Sequence, residues 1–460
     1  MGADALRDRL LDTLKKSTAD YAEVRFETGE STSIRYRGEE ADELSASRLR
    51  RGLVRACTRG GWGEVQFDDL ASLPESVAEA CESAAAVGRE KTELADREPQ
   101  PDTVVEARLD RDFRGVPLDE KLALVSSYND IVLGLDPRIE SSIVMYRDLF
   151  RTVHFASSRG GYYCEERPYL ALVVWATARD GNLVQNAHDS VASALTFDAA
   201  VGFGQRAEET ARRAVALLDA PQCEAGTYTV LLDPGLGGVF AHEAFGHLSE
   251  ADFLYEDPKM RDLMQLGREM GAGSLNIIDD GTLQGRLGTH AFDDEGTPPR
   301  KTYLVKDGVL AGHLHSLETA AKMGAVPTGN ARAVRGGLPP IVRMRNTYID
   351  KGDASFEDLL AGVDRGIYAC DMMGGQTLKE MFTFSAAYAR RIENGRLGEL
   401  IRDVVLTGNV FETLHNIDGF GNDLAIHEMG GGCGKGGQAP LPVTHGAPHL
   451  RIRDVVVSGR

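Results

Sequence analysis

The sequence predicts an α+β chain. Two smaller N-terminal α/β segments, 1–90 and 91–222, precede a β-rich C-terminal domain, 223–460, organised around a helix with His-Glu-x-x-x-His spacing. Three observations predict it. Helical periodicity and strand alternation are interleaved through the first half. Strand-like runs with Asp-Gly and Asn-Gly turns dominate the second half. A length of 460 residues suits two or three domains rather than one core.

The elements follow in order. Leu6, Leu10, Leu11 and Leu14 share one helical face, so the chain opens with an amphipathic helix. YAEVRFET, STSIRYRG, GLVRACT and GWGEVQF then read as strands separated by glycines and charges. A helix spans about 70–87, and REKTELADREPQPDTVVEA after it reads as a linker or exposed excursion. DEKLALVSSYNDIVLGL is helical in period, and two long antiparallel strands follow, with a turn at Asp180-Gly181. EETARRAVALLDA is a helix ending before Pro221. The third segment starts with the strand GTYTVLLDP, carries hairpin turns at Asp307-Gly308 and Asn394-Gly395, and ends in the strand LRIRDVVVSG.

Composition narrows the function. A net charge of -19 argues against a nucleic-acid backbone or an anionic membrane as the main partner. No run reaches the length of a membrane span, and the opening MGADALRDRLLDTLKKS lacks the apolar core of a signal peptide. The six cysteines are scattered without a CxxC pair, which suggests reduced thiols and a cytoplasmic location.

The chemistry concentrates in HEAFGHLSEAD, His242 to Asp252. Glu243 and His247 share a helical face, whereas His242 and His247 stand roughly 140° apart on a regular α-helix. Two ligands so separated cannot grip one ion. A π-bulge absorbs the extra residue, and Gly246 eases such a distortion. The polar trio sits among Val239, Phe240, Ala241, Ala244 and Phe245, where polar burial without a purpose is costly. A catalytic zinc takes about three protein ligands and keeps one position open. Glu250 and Asp252 are candidates for the third. Cys433, a single thiol among six glycines in EMGGGCGKGGQ, is the sharper one. That loop is not a Walker A loop, because Lys435 is followed by Gly436. A cysteine nucleophile at 433 with His427 or His445 as base is a separate reading.

HEAFGHLSEAD together with GGCGKGGQAPLPVTHGAPHLRI resembles the TldD/PmbA family, on the TldD side. FDDEGTPPRKTYLVKDGVLAGHLHS, TGNARA, RMRNTYIDKGD, GGQTLKEMFTFSAAYARRIENG and LTGNVFETLHNID agree with it. The likeness is dense from about 223 to 460 and thinner before, where RGLVRACTRGGWGEVQF fits the general plan. The resemblance implies a zinc metallopeptidase. His242, His247 and Cys433 match the family's zinc ligands and Glu243 its general base. Glu250 would orient a ligand histidine from behind. The implied substrates are peptides or partly unfolded polypeptides. The implied assembly is a dimer, either a homodimer or a heterodimer with a zinc-less PmbA/TldE-like paralogue. Asp293, Asp294, Glu295, Arg300, Asn330 and Arg332 are candidates for lining a substrate cleft. Two rival functions stand beside this one: a non-catalytic peptide-binding or regulatory subunit, and a cysteine hydrolase using Cys433.

Overall fold

The computed structural model describes residues 3–89, 94–97, 101–428 and 430–459. Its first half contains α1 (Ala3–Leu14), β1 (Tyr21–Arg37), β2 (Glu40–Thr58), β3 (Gly61–Phe67), α2 (Leu73–Val87), β4 (Thr103–Val105), α3 (Leu118–Gly134), β5 (Ile139–Ser157), β6 (Tyr162–Asp180), β7 (Leu183–Ser193) and α4 (Gly204–Asp219). The seven strands form one sheet in the order β3-β2-β1-β5-β6-β4, with β7 also paired to β6. The two N-terminal segments are therefore two parts of a single sheet, joined where β1 pairs antiparallel with β5 from Glu23↔Ser157 to Arg37↔Ile143.

One face of this sheet is apolar and covered by helices. Leu6, Leu10 and Leu14 of α1 pack with Val24, Phe26 and Val54, as the helical spacing predicts. Helices α3 and α4 cover Val144, Tyr146, Leu170, Leu172 and Val174. The opposite face is buried as well and mixes charged side chains with apolar ones such as Val153, Phe155 and Tyr163. Glu23, Arg25 and Glu27 alternate with Val24 and Phe26, and all five are at most 3% exposed. The alternation reads as a solvent face in sequence, but the C-terminal domain covers it.

The stretch read as a linker belongs partly to this seam. Residues 90–93 and 98–100 lie outside the described residues. Between them Leu94 is buried against Tyr21, Cys57 and Leu317, and Arg97 donates to the Gly296 carbonyl at 2.8 Å and to Ser157 Oγ at 2.7 Å. This part is a tether between the two halves and not an exposed excursion.

In the C-terminal half, β8 (Gly226–Leu232) pairs with Arg365–Leu378 and with Leu450–Ser458. Leu450–Ser458 pairs with Val405–Asn409, that with Met381–Glu393, and that again with Arg365–Leu378, so the pairing closes into a ring. A separate six-stranded sheet ends in Asn346–Ile349, Thr444–Ala447 and Ala425–Glu428. Both predicted hairpin turns take positive φ at their two central residues, 50° and 78° at Asp307-Gly308 and 52° and 70° at Asn394-Gly395. Among the described residues no helix is long and apolar enough to cross a membrane.

Candidate metal centre

The site begins at the end of β8. Asp233 caps the helix α5 (Pro234–Val239), its Oδ1 accepting from Leu236 N at 2.7 Å, and Pro234 occupies the first turn where a missing N–H costs nothing. The helix lies flat on strand Thr444–Ala447. A Cβ at Gly238 would stand 2.7 Å from His445 Cδ2, so only glycine fits there. Phe240 then points into the ring of strands, edge-on to Phe382 with centroids 5.5 Å apart, and anchors the turn that it opens.

Residues Phe240–Gly246 form a π-helical turn, followed by a 3-10 turn at His247–Ser249. The wider turn does what the spacing demands. It brings the His242 and His247 rings to 5.2 Å between centroids, at 82° to each other. Gly246 serves the turn for a reason other than permissive backbone. Its φ of -58° and ψ of -48° are ordinary for any residue, but a Cβ there would meet Met344 Sδ at 2.0 Å.

Cys433 arrives from the glycine loop. Its Sγ lies 3.1 Å from His242 Nε2 and 3.4 Å from His247 Nε2. The three donor atoms lie within 4.8 Å of one another, the arrangement expected around one ion. His242 and Cys433 are 4% and 3% exposed, whereas the Glu243 side chain keeps 29% exposure beside them. Glu243 Oε2 is 3.9 Å from His247 Nε2. The cluster is thus closed behind and open toward Glu243.

Electrostatics couples the three donors. Burial opposes a thiolate at Cys433, but His242 and His247 outweigh it and hold the thiol down at about 4. Burial likewise opposes charge on the imidazoles, yet Cys433 raises His242, and Glu250 with Cys433 raises His247 well above its ordinary value. Glu250 is fully buried. Its Oε2 meets His247 Nδ1 at 3.0 Å and Lys435 Nζ at 2.9 Å, and its Oε1 accepts from Met344 N at 3.3 Å. Burial works against its charge, but His247 and Lys435 prevail and hold the carboxyl at about 2. Asp252 turns to Lys435 as well, with Nζ to Oδ1 at 2.7 Å. Glu250 and Asp252 therefore back the cluster and do not join its donor set.

The cleft candidates lie elsewhere. Asp294 is 2% exposed and gripped by Arg167 at 2.7 Å and Arg25 at 3.3 Å. Asp293 Oδ1 accepts from Thr297 N at 2.8 Å, and Glu295 pairs with Arg55 at 3.2 Å. Asn330 donates to Asp279 Oδ2 at 2.8 Å and to the Arg343 carbonyl at 2.9 Å. Arg332 donates to the Met344 and Pro442 carbonyls at 2.6 and 2.8 Å. Asp293, Asp294 and Glu295 brace the seam, and Asn330 and Arg332 are spent on partners inside the C-terminal half. Arg300 is exposed. None of the six belongs to the donor cluster. His427 and His445 stack at 6.2 Å, and burial pushes His445 down to about 3. The partners of the Cys433 thiol are His242 and His247 instead.

Two features escaped the sequence reading. Lys435 and Arg343 hold the glycine loop from behind, Arg343 Nη2 donating to the Cys433 carbonyl at 2.9 Å. A lone cation two residues past the candidate thiol was the available signal. A cavity of 440 Å³ lies between β7 and Ala425–Glu428, lined by His188, Ser190, His427, Glu428 and His445. Among the described residues β7 pairs only with β6, and Ala425–Glu428 only with Thr444–Ala447, so two strand edges flank it.

The mixed α/β fold thus holds a buried His-His-Cys cluster that could bind a metal ion. The PmbA/TldA metallopeptidase models match domain 1 over residues 22–87, the central domain over 111–218 and the C-terminal domain over 225–459. The chain belongs to this PmbA/TldD family. A metalloprotease of Synechocystis sp. is 43% identical over 96% of each chain. A zinc metalloprotease TldD homolog of Saccharolobus solfataricus is 30% identical over 74% of this chain and 76% of its own length. The solved structure of TldE from Thermococcus kodakarensis superposes with a TM-score of 0.76 over 99% of this chain and 100% of its own, at 17% identity, a likeness of fold.

Proposed function

We propose that this chain is a zinc-dependent peptidase acting on peptides or partly unfolded polypeptides, with His242, His247 and Cys433 holding the metal and Glu243 as general base. The observation that carries the reading is the convergence of three soft and borderline donors beside an accessible carboxylate. Around a tetrahedral zinc, an imidazole nitrogen at about 2.0 Å and a thiolate at about 2.3 Å stand about 3.5 Å apart. The two N···S separations of 3.1 and 3.4 Å suit that ion.

When bound, zinc supplies Lewis-acid polarisation of the scissile carbonyl and makes water acidic enough to attack near neutral pH. The rest falls to the chain. Glu250, accepting from His247 Nδ1, fixes the tautomer that leaves Nε2 free as a ligand. Glu243 takes the proton of the attacking water and delivers it to the leaving amine. The free edges of β7 and Ala425–Glu428 offer an extended substrate backbone hydrogen bonds that ignore its side chains. Six free, buried cysteines support a reducing, cytoplasmic setting. We infer a dimer, either of this chain or with a zinc-less PmbA/TldE-like paralogue, from the resemblance of its sequence to the TldD/PmbA family; light scattering of the chain alone and mixed with such a paralogue separates the two.

The test is Glu243→Gln. Zinc content is expected to stay at the wild-type level while cleavage of a peptide library falls about 10²–10⁴-fold. Wild-type cleavage by this variant refutes the general-base role.

A further inference from the structure

The loop that delivers Cys433 is held by a short pairing of Cys433–Lys435 with Gln438–Leu441, and it is rich in glycine. Gly430, Gly431, Gly432, Gly434, Gly436 and Gly437 surround the thiol, and three of them, 432, 436 and 437, take positive φ of 60°, 58° and 74°. Such a segment has the largest conformational freedom to lose on ordering. Two cations restrain it. Arg343 grips its main chain, Nη2 on the Cys433 carbonyl at 2.9 Å and Nη1 on the Gln438 carbonyl at 3.1 Å. Lys435 does something different. Its side chain is only 5% exposed, and its ammonium has three acceptors: Glu250 Oε2 at 2.9 Å, Asp252 Oδ1 at 2.7 Å and the Val342 carbonyl at 2.9 Å. It also sits 4.2 Å from the centre of the Phe253 ring.

We propose that Lys435 is a positioning residue of the metal centre, one that ties the loop carrying Cys433 to the turn carrying His247 through their shared partner Glu250. The connection is short. Glu250 Oε2 contacts both His247 Nδ1, at 3.0 Å, and Lys435 Nζ. A single carboxylate oxygen therefore fixes the orientation of one ligand and the backbone two residues from another. Lys435 also balances the charge of Asp252 and shares with His247 the charge of Glu250. An ammonium suits three converging acceptors because it is a compact charge with three donors; the planar fork of arginine does not.

The inference rests on the zinc reading, so the wild-type chain is measured beside the variants. Lys435→Met keeps the length of the side chain and all three ligands. Zinc affinity is read by competition with a chelator, and ligand geometry by the thiolate-to-metal absorption of the cobalt-substituted protein, both on folded protein. Zinc is expected to bind about 10–100-fold more weakly, with a shifted or weakened thiolate band. Wild-type affinity and an unchanged cobalt spectrum in Lys435→Met overturn the positioning role while leaving the zinc reading intact. A wild-type chain that binds no zinc overturns both. Should Lys435→Met fail to fold, Asp252→Asn removes the charge of one acceptor of the ammonium without touching Glu250 or any ligand. A smaller weakening in the same direction supports the tie, and wild-type zinc affinity with an unchanged cobalt spectrum overturns it.

Discussion

Two polar clusters are buried in this molecule, and they are built on opposite plans. The seam between the first sheet and the C-terminal domain interleaves Arg25, Arg55 and Arg167 with Glu23, Glu165, Asp294 and Glu295, each cation facing carboxylates at 2.7–3.3 Å. Opposite charges answer one another across this seam. The centre at 242–247 and 433 instead gathers three donors of like chemistry, two imidazole nitrogens and a thiol, with the opposing charges of Glu250 and Lys435 kept behind them. Burial alone does not mark a site. What marks it is convergence of groups that have more affinity for a cation than for each other.

The sharpest way to break the comparison is Asp294→Ala. It strands Arg25 and Arg167 in the seam, and a loss of about 3–5 kcal/mol is expected in denaturant unfolding, with zinc content of the remaining folded protein unchanged. Loss of zinc before loss of stability means the two clusters are not separate.

Acid tests a second difference. Burial pushes His154, His313 and His315 down to about 4. Their unfolded counterparts titrate near 6.5, so between those values the unfolded chain binds more protons than the folded one. The stability each contributes is complete above about 6.5 and drains away as pH falls through about 4, by up to about 3 kcal/mol per residue. Burial disfavours the Asp294 carboxylate, but Arg25 and Arg167 hold it below the usual carboxylate range, so its ion pairs outlast the histidines. Unfolding free energies between pH 7 and 4 are expected to fall, and to fall less steeply in His154→Gln. An unchanged slope in that variant contradicts the assignment.

The smallest expected effect sharpens the picture of the π turn. Gly246→Ala requires Met344 to give way, because the new Cβ would stand 2.0 Å from its sulfur. A cost of about 1–3 kcal/mol is expected, together with weaker zinc binding as the turn shifts. Wild-type stability and wild-type zinc affinity in this variant assign Gly246 no packing role.

Much of this was legible in the sequence. Alternation and turn dipeptides located β5, β6 and both positive-φ hairpins, because these depend on local chemistry, whereas β1 runs unbroken through Gly29 and β2 begins at Glu40, ahead of the stretch that reads as a strand. The odd spacing of His242 and His247 called for a widened turn, and a widened turn is present at 240–246. The glycine-ringed Cys433 stands among the donors. Other features depended on what the chain meets at long range. Glu23, Arg25 and Glu27 alternate like any solvent-facing strand, and nothing local says that residues near 294 will cover them. For the same reason Asp294, Asn330 and Arg332 read as free polar groups available to a substrate. Lys435 was invisible as a clamp because its three acceptors come from 250, 252 and 342.

The mixed face of the first sheet bears on the order of synthesis. Every strand of that sheet lies before residue 194, whereas the groups that cover it come near 294. For about a hundred residues of translation the half-finished sheet waits with this face in water. A wholly apolar face would invite association during that interval; here Glu23, Arg25, Glu27, Arg55 and Arg167 stand among Val153, Phe155 and Tyr163 and draw water to it. We predict that ribosome-released chains ending at 222 stay in the supernatant, and their rapid precipitation would contradict this. Should they stay in the supernatant, the charges that lock the two halves together would also hold the unfinished one in solution.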